Sequence, residues 1–459
     1  MNRLLGTAAQ HASDYLDTLS ERPVKASAGG DTLRARLGGD LPEHGAEPEA
    51  VVDMLAAAGR DGTVATQGPR YFGFVVGGSL PAATAADWLV SAWDQNAGLF
   101  VLSPLAAVVE EIALAWVKQV VGLPESWAGG FVTGGQMANF TCLAAARHQV
   151  LGRAGWDVER DGLFGAPPVD VIVSDEAHYT IFTSLRMLGL GSGRVRRIET
   201  DGQGRMRADR LADALGDGSS PAIVCAQAGN VNTGAFDPLA AIADLARKRG
   251  AWLHVDAAFG LWAAAAPALR HLVDGIVRAD SIGTDAHKWL NVPYDCGLAL
   301  TAHPEAQRRA LTLVADYIQE TRSERDPHEF TPEESRRARA VPVYAAMRVL
   351  GRAGLQELVE RCCAMARRMA GTLQADPGLR VLNDVVLNQV LVRSAVVDGD
   401  ESRADERTRQ AIEAVQLDGT CWLGGTTWQG KAAMRISISN WSTTEDDIDR
   451  SAQVIARAF

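Results

Sequence analysis

The sequence is short of several things, and each shortage removes a class of function. Its six cysteines (Cys142, Cys225, Cys296, Cys362, Cys363 and Cys421) are scattered, and no C-x-x-C pair occurs. That spacing offers no zinc site, and no metal is expected. Such cysteines read as reduced core residues of a cytoplasmic protein. No run of 18 or more apolar residues is present, so no membrane-spanning helix and no membrane partner are expected. The first residues lack the apolar stretch of a signal peptide. Positive charge is not in excess: the net charge is -11. That argues against a nucleic-acid partner, which requires a basic footprint. Internal repeats and low-complexity segments are absent.

What is present is an ordinary globular composition, 47% hydrophobic and 22% charged over 459 residues. A chain of this length buries a large core in one or two domains plus extensions. Residues 3–19 carry a helical apolar stripe that ends at Arg22-Pro23. Residues 24–47 read as an extended arm, and a second helix is expected over 48–59. An arm of this kind must bury its stripe somewhere, and a partner subunit is one place. Residues 82–93 and 104–121 read as buried helices. From residue 130 strands alternate with helices. Strands are expected at 131–133, 169–174, 222–229, 252–258, 281–284 and 297–301, with helices from Met137 and Leu239 between them. This pattern predicts a mostly parallel sheet covered on both faces, with the ligand beyond the carboxyl ends of the strands. Residues 319–336 are highly charged and read as a mobile loop, either a solvated connector or a lid. Helices across 338–376 follow, and then a smaller α+β region. The expected domains are an N-terminal helical arm (1–60), a large α/β domain (61–375) and a small C-terminal α+β domain (376–459).

Several polar residues fall at strand ends. Lys288 lies in the stretch Thr284-Asp285-Ala286-His287-Lys288-Trp289-Leu290-Asn291. A lysine there is either a surface residue after a strand or an amine for a Schiff base with a carbonyl cofactor. Gly134, Gly135 and Gln136 open a helix, where free N–H groups and the helix dipole favour an anion. The same residues also fit an ordinary glycine turn. They match neither the P-loop nor the dinucleotide glycine pattern. Asp256 sits inside an apolar strand, where a carboxylate is costly unless paired. It is either a cap or ion-pair partner, or a partner for a protonated ring nitrogen, the electron sink of pyridine-based catalysis. Ala258 points to the same side and leaves room for a flat ring. His178 follows the 169–174 strand and is either structural or a group that stacks on a flat cofactor and acts on the substrate.

The motifs Asp175-Glu176-Ala177-His178, His254-Val255-Asp256-Ala257-Ala258 and His287-Lys288-Trp289, in this order, resemble the pyridoxal-phosphate-dependent group II amino acid decarboxylases. The resemblance extends over roughly residues 65–450. It implies an aspartate-aminotransferase-like fold (PLP-dependent fold type I), with a large, mostly parallel α/β domain and a small α+β domain. It also implies pyridoxal 5'-phosphate as cofactor, a small-molecule amino acid substrate, and a homodimer with active sites at the interface. By the same resemblance Lys288 bonds the cofactor, Asp256 binds its ring nitrogen, His178 stacks on the ring, and Gly135 and Gln136 face the phosphate with His287 nearby. Asp285 and Asn230 join the cofactor-binding set, Asn230 standing where the family usually has threonine. Arg435 matches an arginine that holds the substrate carboxylate, and Phe74 and Val75 match the substrate-pocket segment. Many members carry a lid tyrosine that helps protonate the α-carbon. Residues 319–336 have none but contain His328, the expected replacement. The function implied is decarboxylation of an L-amino acid, aromatic or apolar by the lean of Phe72, Phe74, Trp93 and Phe100. An aldehyde synthase or aminotransferase on the same scaffold remains open, as does, more remotely, a non-catalytic binding protein.

Overall fold

The computed structural model describes residues 2–216, 218–312, 324–396 and 399–459. The chain forms two compact units, one of Gly77–Ala366 with Asn383–Gln389, the other of Met1–Val76, Arg367–Leu382 and Val390–Phe459.

The larger unit is built on seven strands: β1 (Ala128–Val132), β2 (Asp170–Ser174), β3 (Arg196–Ile198), β4 (Ala222–Gln227), β5 (Trp252–Asp256), β6 (Ser281–Asp285) and β7 (Gly297–Thr301). Their order is β1-β7-β6-β5-β4-β2-β3. Strands β3, β2, β4, β5 and β6 run parallel, and β7 is antiparallel to both β1 and β6. Every residue of β4 to β7 is buried, as expected for a sheet covered on both faces. On one face, the helices Gly135–Arg153 and Tyr179–Met187 pack Leu143, Val150, Ile181 and Leu185 against Val171, Val173, Ile223 and Trp252. The helix Leu239–Arg249 stops where Gly250 adopts a left-handed conformation (φ 69°), a backbone state that costs glycine little.

The expected strands are present within a residue or two at most ends. Strand β3 was not foreseen: it has three residues, two of them exposed arginines, at the sheet edge. The expected 319–336 loop begins outside the described residues, at 319–323. Its remainder is not a solvated connector. Glu110, buried in the helix Pro104–Val121, pairs with Arg325 at 3.1 Å and Arg336 at 2.9 Å, and the Phe100 N–H donates to Asp326. Arg325, Glu329 and Arg336 of this stretch are paired inside the unit.

In the smaller unit, β8 (Leu379–Val381), β9 (Gln389–Ser394), β10 (Gly424–Trp428) and β11 (Lys431–Ser437) form an antiparallel sheet in the order β10-β11-β9-β8. The helix Glu401–Asp418 packs on β11. The N-terminal helix Asn2–Asp17 packs on Pro48–Gly62 within this unit, which gives its stripe an intramolecular partner. Residues 24–47, read as extended, include the short helix Gly30–Leu37, which has no buried residue to mark it. Residues 65–76 are stitched to the C-terminal part: Phe72 N–H donates to Trp422 O and Ser437 N–H to Phe72 O. Tyr71, Trp422 and Phe74 stack in sequence, with centroids 5.2 and 5.8 Å apart.

Candidate active site

The site residues of the larger unit come from the carboxyl ends of β2, β5 and β6 and from the helix that follows β1. Lys288 lies three residues past β6. Its Nζ is 3.0 Å from Asp285 Oδ2, and Asp285 is almost wholly buried. The turn that carries Lys288 is packed from outside by Gly77. A Cβ there would lie 1.7 Å from the Lys288 carbonyl oxygen, so only glycine fits that close approach. His287 Nδ1 accepts the Cys296 N–H at 3.1 Å. Its proton therefore sits on Nε2, which faces Asp285 Oδ1 at 3.4 Å. Burial pushes the His287 pKa down, opposed by Asp285, so the ring is neutral near pH 7. Tyr294 stacks on it at 4.2 Å.

Gly134 and Gly135 meet this cluster at the N-terminus of the helix Gly135–Arg153. A Cβ on Gly135 would lie 2.7 Å from Asp285 Oδ2, and one on Gly134 3.0 Å from the His287 ring. No side chain caps that helix, so its first-turn N–H groups have neither a cap nor an intrahelical partner. Gln136 is tied down by its carbonyl, which accepts from Ser184 Oγ. An uncapped helix start, with a lysine amine and a neutral histidine close by, suits a phosphate group.

Asp256 ends β5, only 5% exposed. Its Oδ1 accepts the Ala258 N–H at 3.2 Å and its Oδ2 accepts from Asn139 Nδ2 at 3.1 Å. Ala258 O in turn accepts the Asp285 N–H at 2.9 Å, which joins the Asp256 and Lys288 turns. His178 precedes the helix Tyr179–Met187, and its Nδ1 lies 2.8 Å from Thr180 Oγ1. Thr180 is also 3.3 Å from Asn139 Nδ2. A buried carboxylate, a lysine and a histidine arranged around a helix start fit a phosphorylated pyridine aldehyde. The carboxylate suits the ring nitrogen, the lysine the aldehyde, and the helix start the phosphate.

Two expected residues are placed differently. Asn230 is buried, but its carboxamide is spent on its own loop: Oδ1 accepts from the N–H groups of Asn232 and Thr233, and Nδ2 donates to Gln227 Oε1. His328 is not on an exposed lid tip. It is buried in the short helix Pro327–Phe330, its N–H and its Nδ1 both directed at Gly98 O, and its buried Nε2 has no hydrogen-bond partner among the described residues. In the smaller unit, burial pushes the Arg435 pKa down to about 10 and that of its neighbour Tyr71 up to about 12. The residues that sequence reasoning passed over are Asn139 and Thr180. Their only signal was polarity at positions the helical pattern assigns to a buried face.

The fold and this arrangement define a pyridoxal-phosphate-dependent enzyme of fold type I. The chain belongs to the family described as "Pyridoxal-dependent decarboxylase conserved domain", whose model matches residues 33–394. It is therefore a member of the amino acid decarboxylases that use pyridoxal phosphate. It is 28% identical over 455 residues to the aromatic-L-amino-acid decarboxylase of Bacillus atrophaeus, covering 97% of this chain and 92% of that one. It is 32% identical over 381 residues to the L-2,4-diaminobutyrate decarboxylase of Rhizobium meliloti (strain 1021), covering 81% and 74%. The crystal structure of Oryza sativa TDC with PLP and tryptamine superposes with a TM-score of 0.93 at 26% identity, covering 100% of this chain and 97% of that one.

Proposed function

We propose that the chain decarboxylates an aromatic or apolar L-amino acid to the amine. The observation that carries the reading is the clustering of Lys288, Asp285, His287 and the uncapped glycine turn, joined through Ala258 to the buried Asp256. Bound pyridoxal phosphate supplies the electron sink for the bond that breaks at the α-carbon. The protein does the rest. Lys288 would hold the cofactor through its amine. Gly134, Gly135, Gln136 and His287 hold the phosphate, with Asp285 keeping Lys288 in place. Asp256 keeps the ring nitrogen protonated, His178 covers the ring, and Ala258 leaves it space. Asn230 fixes the loop after β4. By the family resemblance Arg435 would take the substrate carboxylate. Phe74 and Val75 flank the substrate side chain. The stack of Phe74 on Trp422, and of Trp422 on Tyr71, supports an aromatic or apolar preference, as does the likeness to the aromatic-L-amino-acid decarboxylase of Bacillus atrophaeus.

His328 is the proposed carrier of the proton delivered to the α-carbon; with Nδ1 donating to Gly98 O, its buried Nε2 would take up that proton before giving it. His328→Phe then lowers amine yield and raises aldehyde or transamination by-product. An unchanged product ratio removes His328 from the step. The proposed assembly is a cytoplasmic homodimer: all six cysteines are buried thiols outside any disulfide, and the larger unit exposes large apolar side chains.

The reading is tested with a panel of L-amino acids, assayed for CO2 and for product. CO2 with one equivalent of amine from an aromatic or apolar substrate is the expected result. CO2 with aldehyde and peroxide assigns an aldehyde synthase, and keto acid without CO2 an aminotransferase. Turnover of diaminobutyrate alone overturns the substrate class. Lys288→Ala loses the visible absorption of the loaded enzyme, and persistence of that band sinks the lysine assignment.

A further inference from the structure

Behind Asp256 lies a run of buried polar side chains that the reading above does not use. Asn139, on the helix Gly135–Arg153, is 1% exposed and touches three of them. Its Nδ2 donates to Asp256 Oδ2 at 3.1 Å and to Thr180 Oγ1 at 3.3 Å, while its Oδ1 lies 3.0 Å from His254 Nε2. His254 Nδ1 lies 3.0 Å from Ser281 Oγ, which accepts from Trp252 Nε1 at 2.9 Å. Thr180 Oγ1 lies 2.8 Å from His178 Nδ1.

On the His254 branch one arrangement of protons satisfies these contacts. Asp256 as a carboxylate accepts only, so the Asn139 amide nitrogen faces it and the amide oxygen faces His254. His254 then carries its proton on Nε2, and its Nδ1 accepts from the Ser281 hydroxyl. On the other branch Thr180 Oγ1 accepts from Asn139 and shares a hydrogen bond with His178 Nδ1. Burial holds the His254 pKa down at about 3, so this end of the chain is neutral, as the arrangement requires. The site for Asn139 is shaped to fit: a Cβ on Gly283 of β6 would lie 2.6 Å from Asn139 Oδ1.

We infer that Asn139 is a positioning residue that, through Thr180, fixes Asp256 and His178 relative to each other, so that the carboxylate on the ring nitrogen and the imidazole on the ring face are set as one unit. The inference rests on the cofactor reading above. It adds two residues, Asn139 and Thr180, that act through Asp256 and His178.

The test uses the full chain titrated with pyridoxal 5'-phosphate, read by the visible absorption band and by its induced circular dichroism. The dichroism reports how the bound ring is held, and a merely structural role would not move it. Asn139→Leu and Thr180→Val keep near-native volume. Each is expected to weaken cofactor binding about tenfold, the equivalent of ~1.4 kcal/mol, and to lower the visible dichroism per bound cofactor. Thr180→Ser keeps the hydroxyl and is expected to retain wild-type values. The double variant is expected to lose no more than the worse single one, because residues in one network are not additive. Wild-type dichroism and affinity in both single variants, fully additive losses, or a Thr180→Ser as impaired as Thr180→Val would each overturn the inference while the cofactor reading stands. Absence of any visible band in the wild-type chain would overturn both.

Discussion

His254 is a histidine the fold keeps neutral. It is wholly buried between Asn139 and Ser281, and desolvation lowers its pKa from 6.5 to about 3. The sign of the pH dependence follows directly. Below pH 6.5 the unfolded chain takes up a proton that the folded chain refuses, so folding stability falls as pH drops from 6.5 towards 3 and is fully present above that window. His254→Asn removes this term and leaves a side chain able to donate to Asn139. The variant is less stable than the wild type at pH 7.5. The gap in Tm between the two narrows as the buffer is taken to pH 4.5. A constant gap across that range would show that His254 does not titrate on unfolding as its burial requires.

At the scale of elements, the charged stretch after residue 324 behaves as an internal clasp. Glu110 is 2% exposed and holds both Arg325 and Arg336, whose guanidiniums also donate to the carbonyls of Gly129 and Phe131 at the two ends of β1. Removing one partner of a buried ion pair leaves an uncompensated charge and costs about 3–5 kcal/mol. Glu110→Gln, which preserves shape, should lower the unfolding free energy by an amount in that range, read as a lower urea midpoint at unchanged slope. A loss under about 1 kcal/mol would place the pair in the weak class of solvated bridges. The same stretch marks a limit of sequence reading. A run of charges looks solvated because charge is normally outside, and only the fold reveals the buried carboxylate 215 positions away that Arg325 meets. Strand ends were readable for the opposite reason. A polar residue such as Asp256 or Lys288 closing an apolar run is a local contrast, and the parallel sheet converts that contrast into a common edge. Asn139 was not readable, since its meaning depends on which helix face meets β5 and β6. Strand β10 was hidden too, because it opens on Gly424-Gly425 and only Trp428 of its five residues is buried, so no apolar run marks it.

At the scale of the whole molecule, the larger unit leaves a set of large apolar side chains in water. Trp88, Leu89 and Trp93 belong to the helix Pro81–Trp93, Val101 and Leu102 to the connection after it, and Leu105 and Val108 to the helix Pro104–Val121. These elements share one small core through Val90, Ala97 and Ala106, so the exposed residues are neighbours in space as well as in sequence. A soluble protein seldom leaves such a group uncovered, and a second copy is the occupant the proposed homodimer supplies. Each copy carries a net charge of -11, so attraction between the copies as whole charges is excluded and apolar burial must hold them. Two outcomes follow. Light scattering on the wild type should give about twice 48.9 kDa, and raising the salt concentration should not dissociate it, because screening weakens the mutual repulsion. Leu105→Glu should give a folded chain of single mass, since an unpaired carboxylate would have to be buried in the contact. Dissociation of the wild type on adding salt would point to a contact held by ion pairs. A dimeric Leu105→Glu with wild-type stability would place the dimer contact elsewhere on the surface.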